Sequence, residues 1–378
     1  MLYRRFGRED FIVSSLGFGC MRFPTINNND ELIDEEKSIE MLRYAIDNGV
    51  NYVDTAYPYH KGQSEILVGK ALKDGYRERV KLATKSPVWL TESYEDFYKY
   101  LNEQLEKLQT SYIDMYLLHA LNKERWEAIV KLDVLKFLDE AKEKGLIKHP
   151  GFSFHGDLDT FKQIVDSYDW SFCQIQYNIL DVDYQAGVEG LKYASSKGLA
   201  VIIMEPLKGG KLAVTPPDEI QNLWNKSKMK RPPVHWALKW LWNQPEVTLI
   251  LSGMSSLDQV MDNISYAEDS EIDSLSDEEL KIVDEVRDTY NNLIKINCTK
   301  CGYCMPCPQG VDIPLNFSIY NDRHIYNDLK SSLKKYEDLH ENKKASSCIE
   351  CGKCQPLCPQ NLPIIDTLKT MHEQLAPN

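Results

Sequence analysis

From residue 50 onward, short apolar runs alternate with longer stretches in which apolar residues return every three or four positions. The runs are NYVDTA (51–56), VKLATK (80–85), YIDMYLLH (112–119), IKHPGFS (147–153), FCQIQY (172–177), LAVIIME (199–205) and VTLILSG (247–253). An eighth, SSLGFGC (14–20), precedes them all. Each predicts a strand. The stretches between, such as EEKSIEMLRYAIDNG and SYEDFYKYLNEQLEKLQ, predict amphipathic helices, and Gly49 and Gly145 read as helix stops. Eight strand–helix repeats over about 250–270 residues predict an α/β fold, a parallel (β/α)8 TIM barrel. A doubly wound sheet would carry a G-x-G-x-x-G turn after its first strand, which LGFGCMRFP does not supply.

Residues 271–297 predict a helix bridging to a cysteine-rich tail, which gives two domains, a barrel over 1–288 and a small, mostly helical module over 289–378. Charge narrows the partners. Forty-four basic residues against 57 acidic ones leave −13, so the chain has no general pull toward nucleic acid or an anionic membrane. The run MKRP (229–232) is the one local basic hint and reads as a solvated loop. No apolar run reaches the eighteen residues of a membrane span, and MLYRRFGRED has no apolar signal core, so a cytoplasmic location is expected.

In a barrel of this kind reactive groups belong at the C-terminal ends of the strands. Asp54 ends the second predicted strand, with Tyr59 in the loop after it, Lys85 ends the third and His119 the fourth. Singly, each is ordinary: a loop tyrosine is usually structural and a strand-end aspartate often caps a helix. Together they are a candidate site. Around them the motifs VDTAYPYH, ATK, LLH, GFS, QIQYN, MEPLKGG and GMSSLDQVMDN, after the opening MLYRRFGREDFIVSSLGFGCMRF, resemble the aldo-keto reductase superfamily over about residues 1–290.

The resemblance implies a nicotinamide cofactor, NADP or NAD, a small carbonyl substrate, and roles for the four residues. Tyr59 would protonate the carbonyl oxygen, or take the proton in the oxidative direction. A phenol near pKa 10 needs help at neutral pH, which Lys85 would give as a cation polarised by Asp54. His119 would orient the carbonyl by a hydrogen bond. Tyr57 is a rival acid, but it stands three residues from Asp54 where the family pattern has five.

The same resemblance implies that Ser153 and Gln174 hold the carboxamide, and that Gly19, Cys20 and Met21 line the ribose end. Pro206, Leu207, Gly209, Gly210 and Lys211 would border the pyrophosphate, and Gly253, Ser255, Gln259, Asp262 and Asn263 the adenosine half. Three departures stand out: Phe154 where asparagine often follows the serine, Met204 where an aromatic often stacks on nicotinamide, and Gly253 with Gln259 where many members place cations for a 2′-phosphate. The last puts an NADP preference in doubt.

The tail is CTKCGYCMPCPQG from residue 298 and CIECGKCQPLCPQ from residue 348. Cys348, Cys351, Cys354 and Cys358 before Pro359 have the bacterial ferredoxin spacing C-x2-C-x2-C-x3-C-P, and Cys298, Cys301, Cys304 and Cys307 vary it by one residue. With the fourth cysteine of each run serving the other cluster, one [4Fe–4S] set is Cys298, Cys301, Cys304 and Cys358, the other Cys348, Cys351, Cys354 and Cys307. Zinc is the alternative, but it has no use for a run ending in Cys-Pro. Cys20 and Cys173 fall outside this scheme and read as buried small hydrophobes.

A barrel followed by such a tail resembles one branch of the superfamily, which leaves two expectations. One is a reductase of aldehydes or ketones carrying two clusters. The other is an electron-transfer or nicotinamide-sensing module, whose tail serves a redox partner protein and whose barrel turns over little.

Overall fold

The computed structural model describes residues 1–298, 300, 302–358 and 360–376. Strands β1 (Tyr3–Arg5) and β2 (Ile12–Ser14) form an antiparallel hairpin. Eight more follow: β3 (Leu16–Gly19), β4 (Tyr52–Asp54), β5 (Lys81–Ser86), β6 (Ile113–Leu121), β7 (Ile147–Phe154), β8 (Phe172–Gln176), β9 (Ala200–Met204) and β10 (Leu249–Gly253). They pair in parallel and in chain order, and β10 closes on β3. Each predicted run overlaps one of these strands, although β5, β6 and β7 continue one or two residues past the predicted ends, and the expected TIM barrel is the fold.

The hairpin, which the strand pattern does not announce, stoppers the N-terminal end of the barrel. Phe6, fully buried at its turn, packs with Tyr52, Phe172, Ala200 and Leu249, the first residues of four barrel strands. Gly7 takes a φ of +53° there, and a Cβ on it would lie 2.5 Å from the Ala200 nitrogen, so only glycine lets the turn come this close. Arg4 fastens the hairpin by donating to the carbonyls of Trp242, Val247 and Ser270.

Caps set the helix ends. Ser93 and Asp96 exchange capping-box bonds at the start of helix Tyr94–Leu108, and Asp157 caps Leu158–Asp166. Gly49 (φ +99°) and Gly145 (φ +71°) follow helices Glu35–Asp47 and Val134–Glu143 in the left-handed conformation expected of stops.

The chain divides into two compact units, one of Met1–Gly209 with Val234–Leu275, the other of Gly210–Pro233 with the residues from Ser276 on. In the second, helix Asp218–Trp224 packs on Asp277–Asn292, the bridging helix expected over 271–297. Lys226–Glu285 (2.8 Å) and Arg231–Glu279 (2.6 Å) tie this pair, while Lys230 donates to the carbonyls of Asn225 and Ser227. The MKRP run is therefore bound into structure. Beyond it, helices Ile313–Ile325, Leu329–Glu337 and Ile364–Leu375 enclose a small core that includes Val311, Phe317, Tyr336, Met371 and Leu375. Among the described residues no helix is long and apolar enough to cross a membrane.

Candidate functional site

β4 and β5 lie side by side, so Asp54 and Lys85, at their C-terminal ends, meet inside the barrel mouth. Both are almost wholly buried, and Lys85 Nζ donates to Asp54 Oδ1 at 2.5 Å and to the Thr55 carbonyl at 2.8 Å. The same ammonium reaches the Tyr59 hydroxyl at 3.4 Å. Behind it, Gln104 Nε2 donates to the Lys85 carbonyl (3.0 Å) and to buried Glu65 (2.7 Å), which pins the backbone of β5.

His119 arrives by a different device. The register of β6 on β7 shifts between Leu118 and Leu121, and Ala120 within this bulge has a φ of +53°. A bulge re-aims the side chain beside it. The His119 ring stands edge-on to Tyr59, with centroids 6.0 Å apart, and 5.2 Å from Trp89. The four candidates converge.

Burial shapes their protonation. The Tyr59 phenol is raised above its ordinary value by loss of water, with Lys85 pulling the other way. Burial works against the Lys85 charge, but Asp54 and Tyr59 outweigh it and hold the ammonium above the usual lysine range. Burial raises the Asp54 carboxyl, opposed by Lys85. Burial first, then the charge of Lys85, holds His119 well below the usual imidazole range, so the ring is neutral at pH 7. Tyr57 lies elsewhere: it donates to Glu103 at 2.9 Å under Lys107, and burial with that acid pushes it up to about 12.

Ser153 and Gln174 are direct partners across β7 and β8. Ser153 Oγ accepts from the Ala120 N–H at 2.7 Å, which leaves its own proton to donate. Gln174 Oε1 is buried with no partner among the described residues. One spare donor beside one spare acceptor complements a primary carboxamide, so the pair fits the end of a nicotinamide.

Gly19 sits between Asp54 and Gly253 in register, and a Cβ on it would crowd the Ser252 carbonyl at 3.2 Å. Cys20 is buried and Met21 exposed beside it. Met204 ends β9, and Pro206, Leu207 and Gly209 follow in the turn closed by Lys208 N–H on the Glu205 carbonyl. Gly210 and Lys211 belong to the second compact unit, where Lys211 Nζ donates to both oxygens of Asp322 at 2.6 Å. Past β10, Gln259 Oε1 accepts from the Ser255 N–H (2.8 Å) and Asn263 donates to Ser252 (3.0 Å), while Asp262 is exposed.

Two cations escaped the sequence reading. The stem of Arg22 lies against Gly253, where any Cβ would stand 2.8 Å from its Cγ. Arg125 lies over the Trp89 ring at 5.1 Å. A G-x-x-R spacing and a helix-borne arginine carry no local mark of such placement.

In the second unit two thiol-lined cavities open. Cys298, Cys304 and Cys358 line one with Phe317 and Ile364, and Cys307, Cys348, Cys351 and Cys354 line the other with Val311 and Leu368. Cys304 also borders the second. Cys358 thus lies with the first run and Cys307 with the second, as the spacing leads one to expect, while Cys301 lies outside the described residues. Burial raises the Cys354 thiol, as do its neighbours Cys348, Cys307 and Cys351. Among the described residues no three His, Cys, Asp or Glu side chains stand close enough to share a single ion. Cys20 and Cys173 are fully buried in the barrel, and burial pushes both thiols up.

Residues 15–288 match the aldo/keto reductase family model. The chain belongs to that family. Residues 297–363 match a 4Fe-4S dicluster domain, which makes the thiol-lined region an iron–sulfur module. An uncharacterized oxidoreductase, YqkF of Bacillus subtilis, is 27% identical over 311 residues, 74% of this chain and 95% of that protein. The NADH-specific methylglyoxal reductase of Escherichia coli is 26% identical over 309 residues, 68% and 91% of the two chains. Among solved structures, holo aldo-keto reductase AKR11C1 from Bacillus halodurans superposes with a TM-score of 0.64 at 29% identity, covering 76% of this chain and 96% of that one.

Proposed function

We propose that this aldo/keto reductase is an NAD(P)-dependent, cytoplasmic reductase of aldehydes or ketones, able to run in reverse, whose C-terminal region carries two [4Fe–4S] clusters. One observation carries the reading: an ammonium clamped on a buried carboxylate, facing a phenol beside a neutral imidazole. A nicotinamide held at this site would supply a hydride to the carbonyl carbon. Tyr59 would give its proton to the carbonyl oxygen, so that hydride and proton together turn the carbonyl into an alcohol. Lys85 stabilises the phenolate left behind, and Asp54 keeps Lys85 charged and in place. His119, being neutral, donates one N–H to the same oxygen and fixes its direction.

Ser153 and Gln174 would hold the carboxamide, with Gly19, Cys20, Met21 and Met204 around the nicotinamide end. Pro206, Leu207 and Gly209 would flank the pyrophosphate, and Gly253, Ser255, Gln259, Asp262 and Asn263 the adenosine. Each cluster would take its ligands from both cysteine runs.

Steady-state reduction of a carbonyl panel tests the reading. Tyr59→Phe should lower turnover ~10²–10⁴-fold, the cost of losing a general acid, with nucleotide binding nearly intact. Wild-type turnover in Tyr59→Phe together with its loss in Tyr57→Phe would reassign the acid. The thiol cavities favour a second reading, electron transfer to a redox partner with little barrel turnover; absence of reduction across the panel would move the balance to it.

A further inference from the structure

The bulge that aims His119 also positions a charge. Ala120 turns its N–H to Ser153 and its carbonyl to Arg125, whose Nη1 donates to it at 2.8 Å. Asn122 caps the following helix, Lys123–Val130, and accepts from the Arg125 N–H at 2.9 Å. Both ends of the arginine are thus held, and its guanidinium lies over Trp89, whose ring is 5.2 Å from His119. Tyr59, His119, Trp89 and Arg125 form a continuous row at the barrel mouth.

The charge is unanswered. A guanidinium has five N–H donors, and the Ala120 carbonyl takes one. Glu124 and Glu127 share the helix, yet Arg125 has no carboxylate partner among the described residues. Its field nonetheless reaches the site. Arg125 adds to burial and Lys85 in depressing His119, and to burial in depressing His155, where Gln185 and Glu205 act the other way. A cation stacked on an aromatic and left with free, forked donors matches a carboxylate geometrically.

We infer that Arg125 recognises a carboxylate on the substrate, so that the preferred substrates are oxo acids rather than neutral aldehydes or ketones. This rests on the reductase reading above and names its substrate class. The carbonyl oxygen lies between Tyr59 and His119, and the chain runs past Trp89 to place the carboxylate on the guanidinium. Arg125 moves no proton or electron; it anchors the far end.

Matched pairs test it: 4-carboxybenzaldehyde against methyl 4-formylbenzoate, and 4-oxobutanoate against its methyl ester. The acid-to-ester ratio of kcat/KM should exceed ten for the wild-type holoenzyme. Arg125→Met should lower that ratio about 10- to 100-fold, the worth of hydrogen bonds to a charged group, and Arg125→Lys should restore part of it. A ratio near one, or one unmoved in Arg125→Met, overturns the inference while leaving the reductase reading intact. Benzoate binding to the nucleotide-loaded protein, followed by tryptophan quenching, needs no turnover. If neither acid nor ester is reduced, the reductase reading fails, and equal benzoate affinity in wild type and Arg125→Met then overturns the arginine's role as well.

Discussion

At Tyr59, one residue sets how the reaction should respond to pH. In the proposed role the phenol serves reduction only while it holds its proton, and burial keeps it protonated beyond the ordinary value of about 10. His119 is depressed, so it gains no proton until well below about pH 6.5, and Lys85 stays cationic throughout. Raising the pH removes the donor; lowering it changes nothing until the acid range. Turnover in reduction should therefore be flat between about pH 6.5 and 9 and fall only above about 10. Oxidation of the alcohol, which needs the phenolate, should rise over the same alkaline window. A kcat profile across this range checks both, and an alkaline limb centred below about pH 8 would show that burial does not govern Tyr59.

Cofactor choice is decided by single residues too. Lys208 and Lys211, the nearest lysines in sequence to the proposed pyrophosphate turn, are bound to Asp181 and Asp322. Neither is spare for a 2′-phosphate, and Gly253 and Gln259 offer no charge. NADH should therefore bind within about a hundredfold of NADPH, the ceiling for losing one charged contact, in a fluorescence titration of the two. A larger gap would point to Arg22, whose stem crosses Gly253, and Arg22→Met should then erase it. The convergence of the four candidates was legible because barrel strands end at one mouth, where Asp54, Lys85 and His119 could be counted off. Arg22 and Arg125 were not, since a glycine gap and a bulge bring them in, and neither leaves a residue pattern.

The elements differ in legibility for a physical reason. Parallel barrel strands are buried on both faces, so they read as continuous apolar runs, and all eight were visible that way. The β1–β2 hairpin has three-residue strands, and β1 is partly exposed, so its pattern is too short to read. Its importance shows only in packing. Phe6 stacks on Phe11 at 5.1 Å, tilts against Phe172 at 5.5 Å and lies 6.3 Å from Tyr52, filling the end of the barrel. Phe6→Ala leaves a cavity that the strand ends cannot collapse into, because β-sheet bonding holds them apart. It should destabilise the barrel by about 3–5 kcal/mol, measured by urea unfolding followed through near-UV circular dichroism. A loss under about 1 kcal/mol would mean the hairpin only covers the barrel and does not support it.

Across the whole molecule, the residues 210–233 leave the barrel sequence and fold with the residues from 276 on, through Lys226–Glu285, Arg231–Glu279 and Lys211–Asp322. Local patterning cannot encode a pairing across such separations. The grouping of the thiols follows spacing that is itself local, and the fold brings Cys358 to the first run's cavity and Cys307 to the second's. On the proposed function two chemistries share one chain. A nicotinamide gives up two electrons together as hydride, whereas a [4Fe–4S] cluster exchanges one at a time. Joining them takes a cofactor stable as a radical, and the sequence has no flavin-binding signature. NADH or NADPH alone should therefore leave the clusters oxidised on the timescale of turnover, and the clusters should be either structural or in exchange with a separate one-electron partner. Anaerobic stopped-flow mixing with excess NAD(P)H, watching visible iron–sulfur absorption, reads this directly. Persistent colour through many turnovers, with bleaching on addition of a one-electron reductant, is the expected result. Bleaching by NAD(P)H at the turnover rate, with no flavin added, would mean that hydride and single electrons are coupled inside this chain.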